Sequence, residues 1–195
     1  DAGSHTIRSI RKKLDPVTRQ IISYSVKTVA GLPMQGGFVD GPGEFARFNA
    51  PQGLAGFVRP EEPSTVYLYV ADSGNNAVRL VVHALPSDLD AIPVSVVSTP
   101  VGVRAPLLSE ISSEWTPEVG DTDGFANDAR FATPMDVVLD PSSTSEKLTL
   151  YVADSANHSV RGVEVTRQAT PELSAKLTVT RTPKIVFQWP LGKLP

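Results

Sequence analysis

Apolar positions along this chain fall in short runs broken by Pro, Gly, Asn and Asp, and no stretch sustains a 3.6-residue period. Gly53–Val58 and Met135–Asp140 are near-continuous apolar runs that begin just after a proline. They predict inner strands buried on both faces. Val66–Asp72 and Leu148–Asp154 are rich in Tyr, Val and Leu and stop at Asp-Ser, a turn signal. Ala77–Val82 and Ser159–Val165 follow at once and read as their hairpin partners. Gln20–Ala30, Val94–Val103 and Lys176–Trp189 alternate β-branched with polar residues, as outer edge strands do. The pattern predicts an all-β chain with four strands per unit.

The units repeat. Leu68–Ser73 and Leu150–Ser155 are the same six residues, and each leads into an Asn-containing turn and an arginine. Asp72, Asn75 and Arg79 in one copy correspond to Asp154, Asn157 and Arg161 in the other. Upstream, Asp40, Gly41, Ala46, Arg47, Phe48 and Pro51 recur as Asp123, Gly124, Ala129, Arg130, Phe131 and Pro134, all at one offset of 83. A fainter third copy, Asp1–Arg8, opens the chain with Ser4 in place of the turn Asn, so the chain is expected to begin inside a unit. Self-similarity at this spacing signals stacked copies of one supersecondary element. Between Arg79 and Asp123 the spacing exceeds that between Arg8 and Asp40 by a dozen residues, and the extra length falls in the Pro-, Ser- and acid-rich stretch 83–119. Such length variation belongs in loops.

Val-Ala-Asp-Ser-x-Asn-x-x-Val-Arg, preceded by Asp-Gly-x4-Ala-Arg-Phe-x-x-Pro, resembles the NHL repeat, a blade motif of β-propellers. The resemblance implies an incomplete propeller of four-stranded blades. Residues 1–30 would be the last two strands of one blade, 31–103 a full blade, 104–119 an inserted loop, 120–189 a second full blade, and 190–195 a tail. It makes Phe48 and Phe131 wedges between blades. Asp72 and Asp154 would hold turn amides, and Asn75 and Asn157 would take left-handed turn geometry. Arg79 and Arg161 would pair with an aspartate of the same or a neighbouring blade. Two and a half blades do not close a disc, which takes about four to eight. The chain is therefore expected to be part of a longer one, or to be completed by other subunits. The family includes protein-binding modules, RNA-binding modules and a metal-dependent lyase, and a shared fold does not choose among them.

Composition narrows the choice. The 195 residues include no cysteine, which excludes disulfides and thiolate chemistry. No apolar run approaches the ~18 residues of a membrane-spanning helix. The net charge of −3 is segregated, with six basic and two acidic groups in 1–30, six and seventeen in 31–160, and six and two in 161–195. An acidic centre argues against a nucleic-acid-binding face. Arg11, Lys12 and Lys13 form the one dense basic spot, read as a solvated hairpin loop or a contact for an acidic partner. His5 and His158 are equivalently placed, but the middle copy has Asn76, so no metal triad is expected. Asp121, Asp123, Asp128 and Asp136 lack the spacing of a calcium loop. No nucleophile elbow, phosphate loop or acid–base pair is present. The expectation is a non-catalytic scaffold or protein-interaction module without cofactor. The alternatives are a propeller lyase or hydrolase completed by missing blades, and an RNA-binding module.

Overall fold

In a computed structural model the described residues are 1–85, 94–103 and 117–166, together with the backbone of a strand at Lys176–Arg181. Much of the insertion at 83–119, residues 182–189 of the last expected strand and the tail at 190–195 lie outside them. The chain is all-β, with three antiparallel sheets among the described residues and none of them closed. Strands β1 (Ile7–Leu14) and β2 (Ile21–Ala30) form a two-stranded ribbon. The first large sheet has the order β3 (Gly41–Pro42), β7 (Val94–Val101), β6 (Ala77–Ala84), β5 (Thr65–Asp72), β4 (Pro51–Val58). The second repeats that order with β8 (Gly124–Phe125), β12 (Lys176–Arg181), β11 (Ser159–Thr166), β10 (Lys147–Asp154), β9 (Pro134–Leu139).

Register follows the repeat. Asp72 stands opposite Ala77 and Val70 opposite Arg79, as Asp154 stands opposite Ser159 and Val152 opposite Arg161. Each hairpin turns through a short 3-10 segment, Ser73–Asn75 or Ser155–Asn157, that ends in a left-handed residue. That residue is Asn76 (φ +52°) or His158 (φ +51°). The left-handed position thus falls one residue later than expected at Asn75 and Asn157. Those two are freed to use their side chains instead.

Three further expectations change. The Asp-Gly tracts add a two-residue edge strand to each unit, giving five strands where four were expected. The proline-led runs become β4 and β9, which end their sheets and are not buried on both faces. Leu54, Val58, Met135 and Val138 are all exposed, because no neighbour covers the far side of these strands among the described residues. Arg11, Lys12 and Lys13 lie within β1, paired with Ser25, Tyr24 and Ser23, and the hairpin loop is the stretch after Leu14.

Two apolar layers lie between the sheets. Ile7, Val29 and Ala30 of the ribbon pack with Ala46, Phe48, Val70, Val81 and Val97 of the first sheet. The opposite face of that sheet, with Tyr67, Tyr69, Val78, Leu80 and Val101, packs on Phe131, Val137, Leu150, Val152 and Val163 of the second unit. Phe48 and Phe131 sit at 0% exposure in equivalent positions of the two layers. Truncating Phe131 to Ala should therefore cost about 3–5 kcal/mol of stability, by analogy with other buried aromatic truncations. Urea unfolding monitored by circular dichroism measures this, and a loss below ~1 kcal/mol would contradict the packing.

Candidate functional site: buried arginine locks and the joints between repeats

Arg79 projects from β6 into the first unit and is completely enclosed. Its Nη1 donates to Asp72 Oδ2 (2.8 Å) and to the Arg47 carbonyl (2.9 Å). Its Nη2 donates to Asp40 Oδ1 (2.7 Å) and to the Val39 carbonyl (2.8 Å). The guanidinium lies between the rings of Phe38 and Phe48, at 4.8 and 4.9 Å from their centroids. One planar cation thus ties the β5–β6 turn to the loop that carries Asp40, Arg47 and Phe48. A lysine could not reach four acceptors in this fork geometry.

Both carboxylates are held from other sides as well. Asp72 accepts from the Asn49 amide (2.8 Å) and from Asn75 Nδ2 (2.7 Å). Every group facing its two oxygens is a donor, so the carboxyl is ionised. Burial nevertheless pushes Asp72 above the ordinary carboxylate value, against the pull of Arg79, Asn75 and the Asn49 amide. Ionic attraction alone does not offset desolvation here, and the arrangement is better regarded as fixing geometry. Asp40 accepts from the Thr99 amide (2.9 Å) and hydroxyl (3.0 Å), which brings strand β7 into the same network.

The second unit repeats the lock with two differences. Arg161 donates to Asp154 Oδ2 (2.9 Å), Asp123 Oδ1 (2.5 Å), and the Arg130 (3.0 Å) and Thr122 (2.8 Å) carbonyls. Asn157 Nδ2 bridges Asp154 and the Gly120 carbonyl, as Asn75 bridges Asp72 and the Gly37 carbonyl. Among the described residues the Phe131 ring stacks on Arg161, at 5.2 Å, and Asp121 occupies the position of Phe38. The side chain of Asp123 is 39% exposed, against 11% for Asp40. The remaining motif residues are placed around these locks. Gly41 and Gly124 open β3 and β8, Pro51 and Pro134 open β4 and β9, and Arg47 and Arg130 fold back onto carbonyls of their own loops. Arg11, Lys12 and Lys13 lie apart from the locks, on the ribbon.

Sequence reasoning missed how the units are joined. Two hydrogen bonds recur at successive junctions. His5 Nδ1 accepts from the Ala50 amide (3.0 Å), and Asn76 Oδ1 accepts from the Thr133 amide (2.9 Å). All four residues have positive φ, between 49° and 57°. Gly31 N–H donates to the Gly43 carbonyl (2.8 Å), and Gly102 N–H to the Ala126 carbonyl (3.1 Å). Gly31 and Gly102 sit at φ +95° and +101°, and a Cβ on Gly31 would approach His5 O to 2.6 Å. At the second junction Ser73 Oγ also donates to the Pro134 carbonyl. The spacing of 71 that relates His5 to Asn76 also relates Gly31 to Gly102, and this was the signal available in the sequence.

Beyond the joints the described surface offers little chemistry. No group of three or more His, Asp or Glu side chains that could hold a metal occurs among the described residues. A mostly apolar cleft of about 410 Å³ lies where β2 and the turn at 31–33 meet Pro42–Glu44 and β7. His83, buried on β6, has Nδ1 2.8 Å from Ser95 Oγ. Desolvation, with the charge of Arg11 second, holds its pKa below the ordinary 6.5.

No family model matches the chain, and no curated protein matches it by sequence. Solved structures do resemble it. An auxiliary nutrient binding protein from Bacteroides thetaiotaomicron aligns with 92% of this chain and 33% of its own, at 20% identity and a TM-score of 0.56. One of the same description from Bacteroides ovatus gives 93% and 34%, at 21% identity and 0.57. A further Bacteroides thetaiotaomicron protein, named "Putative phosphatase", gives 94% and 31%, at 21% identity and 0.58. The chain spans about a third of the length of each, and at this identity the likeness is one of fold.

Two outcomes test the site. Replacing Arg79 with Met leaves Asp72 and Asp40 without their counter-ion and should cost about 3–5 kcal/mol, as breaking a buried pair does. Arg161→Met should cost less, since water reaches Asp123; chemical denaturation of the two variants that showed the reverse order would refute this ranking. For His83 the sign is set by a folded-state pKa below the unfolded one. Its contribution is complete above about pH 6.5 and is lost as pH falls towards the depressed folded value. Thermal midpoints measured across that window should decline in the native protein and flatten in His83→Gln.

Proposed function

We propose that this chain is an incomplete NHL-type β-propeller that serves as a rigid, non-catalytic binding or assembly module. Further blades, or other protein subunits, complete it. One observation carries the reading: the same hydrogen-bonded joint occurs at two successive junctions, from His5 to Ala50 and from Asn76 to Thr133. A joint that recurs with the repeat builds an open series, in which each unit contacts only its neighbours.

The surfaces at the ends of the series support it. On the ribbon Ile10 is 72% exposed, whereas its counterpart Val81 in the first sheet is fully buried. Ile21, Ile22, Tyr24 and Val26 are also exposed, and together they make an apolar surface of the kind that marks an interface. Among the described residues the buried charges Asp72, Arg79, Asp154 and Arg161 hold loops together, which favours a scaffold over a catalyst. Two of the structural neighbours are described as nutrient binding proteins, which agrees with a binding role; the phosphatase name of the third calls for a hydrolysis assay.

The isolated 20.8 kDa chain should self-associate, or bind a hydrophobic dye strongly, when examined by light scattering and dye fluorescence. It should not hydrolyse p-nitrophenyl phosphate with or without added divalent metal. A monodisperse, dye-silent, thermally stable monomer would overturn the assembly reading, and metal-dependent turnover abolished by substitutions on this chain would overturn the non-catalytic one.

A further inference from the structure

We infer that Ser155 and His158 form an open joint that receives one more unit of this same repeat, and that the contact is confined to the turn end of the second sheet. The inference rests on the propeller reading above and names the partner of its exposed face.

Three turns occupy the same place in three successive units. His5, Asn76 and His158 are each the left-handed residue that closes a 3-10 turn, at φ +57°, +52° and +51°. The first two each accept the amide of a left-handed residue that directly precedes a proline, Ala50 before Pro51 and Thr133 before Pro134. Ser73, three residues before Asn76, adds a hydroxyl donor to the carbonyl of that proline. Ser155 and His158 repeat the Ser73–Asn76 pair in spacing and in backbone conformation. Ser73 is buried by its junction, yet Ser155 and His158 are exposed, and neither side chain makes a hydrogen bond within the described residues.

The donor and acceptor that fit are therefore specified. His158 Nδ1 matches an amide at positive φ, and Ser155 Oγ matches the carbonyl of the proline that follows it. A backbone amide at positive φ immediately before proline is uncommon, because the residue before proline is normally driven to extended geometry. Among the described non-glycine residues this chain places it where β4 and β9 begin. Continuity with the two existing junctions thus points to a strand that opens a further unit.

The face beside this joint differs along its length. Near the turn, Tyr151 and Ala153 correspond to Tyr69 and Ala71, which the first junction face buries. Further along, Thr149, Gly162 and Glu164 stand where the first sheet has Tyr67, Leu80 and Val82, and Lys147 pairs with Glu164 at 2.8 Å in the open. Burying that pair would cost desolvation without new partners. Docking at the turn end leaves it in water.

The test appends a second copy of residues 117–181 after Pro195 and follows hydrogen exchange at the appended amide that corresponds to Thr133. Docking should protect that amide. His158→Ala should reduce the protection about fivefold, the effect of one lost hydrogen bond, and Ser155→Ala should reduce it as well. His158→Asn should retain it, since Asn76 does the same work, and Glu164→Gln should leave it unchanged. In the unextended chain the His158 and Ser155 variants should melt like the parent. If the appended unit docks and His158→Ala is silent, the joint is refuted while the propeller reading stands. If the appended unit folds and never docks, both fall.

Discussion

Everything in each unit hangs on a guanidinium that has no access to water. Arg79 sits at zero exposure with four of its five donors satisfied by two carboxylates and two carbonyls. The acceptors come from Val39–Asp40, Arg47 and Asp72, stretches separated by loops whose backbone is otherwise irregular. An irregular loop loses conformational entropy on being ordered and has no ladder of its own to offset it. The arginine supplies the missing bonds at fixed angles. Hence Asp, Asn and Arg keep their spacing from one copy to the next.

The lock has a second consequence. Once Asp72 and Asn75 hold the 3-10 turn, the next residue is fixed in left-handed geometry, and its side chain points out of the unit. Asn76 then meets Thr133 of the following unit, as His5 meets Ala50. The interior network of one repeat therefore aims the joint to the next. Asn at this site costs little in left-handed backbone, and His can replace it because either side chain presents one lone pair to an amide.

Most strands and their hairpin pairing were legible in the sequence, because they depend on short apolar periods and on turn residues that act locally. Val66–Asp72 and Ala77–Val82 needed only one or two residues of extension to become β5 and β6. Phe48 and Phe131 stood out by their fixed offset, and both rings lie buried at the layers. What the sequence concealed depended on distant partners. The exposure of Leu54 and Met135 follows from where the sheet ends, which no local pattern reports. The His5–Asn76–His158 series is visible in the sequence, but the bonds that His5 and Asn76 make depend on Ala50 and Thr133, far along the chain. Gly31 and Gly102 are marked in the sequence by their shared spacing alone; their positive φ and the close approach of neighbouring backbone explain them.

The two buried faces and the open one also show how a repeat can mark its own position. Leu68–Ser73 and Leu150–Ser155 are identical, so the difference between a covered sheet and an uncovered one lies elsewhere on the strands. Tyr67 and Val82, which are apolar and packed towards the second unit, are replaced by Thr149 and Glu164 at the corresponding positions. The exchange falls at the end of the sheet away from the turn, while Tyr151, Ala153, Ser155 and His158 keep the character of a junction. A face meant for full burial would not carry a solvated Lys147–Glu164 pair, and one meant only for water would not preserve the joint. The pattern on the second sheet is that of a partial contact, narrower than the junction that precedes it.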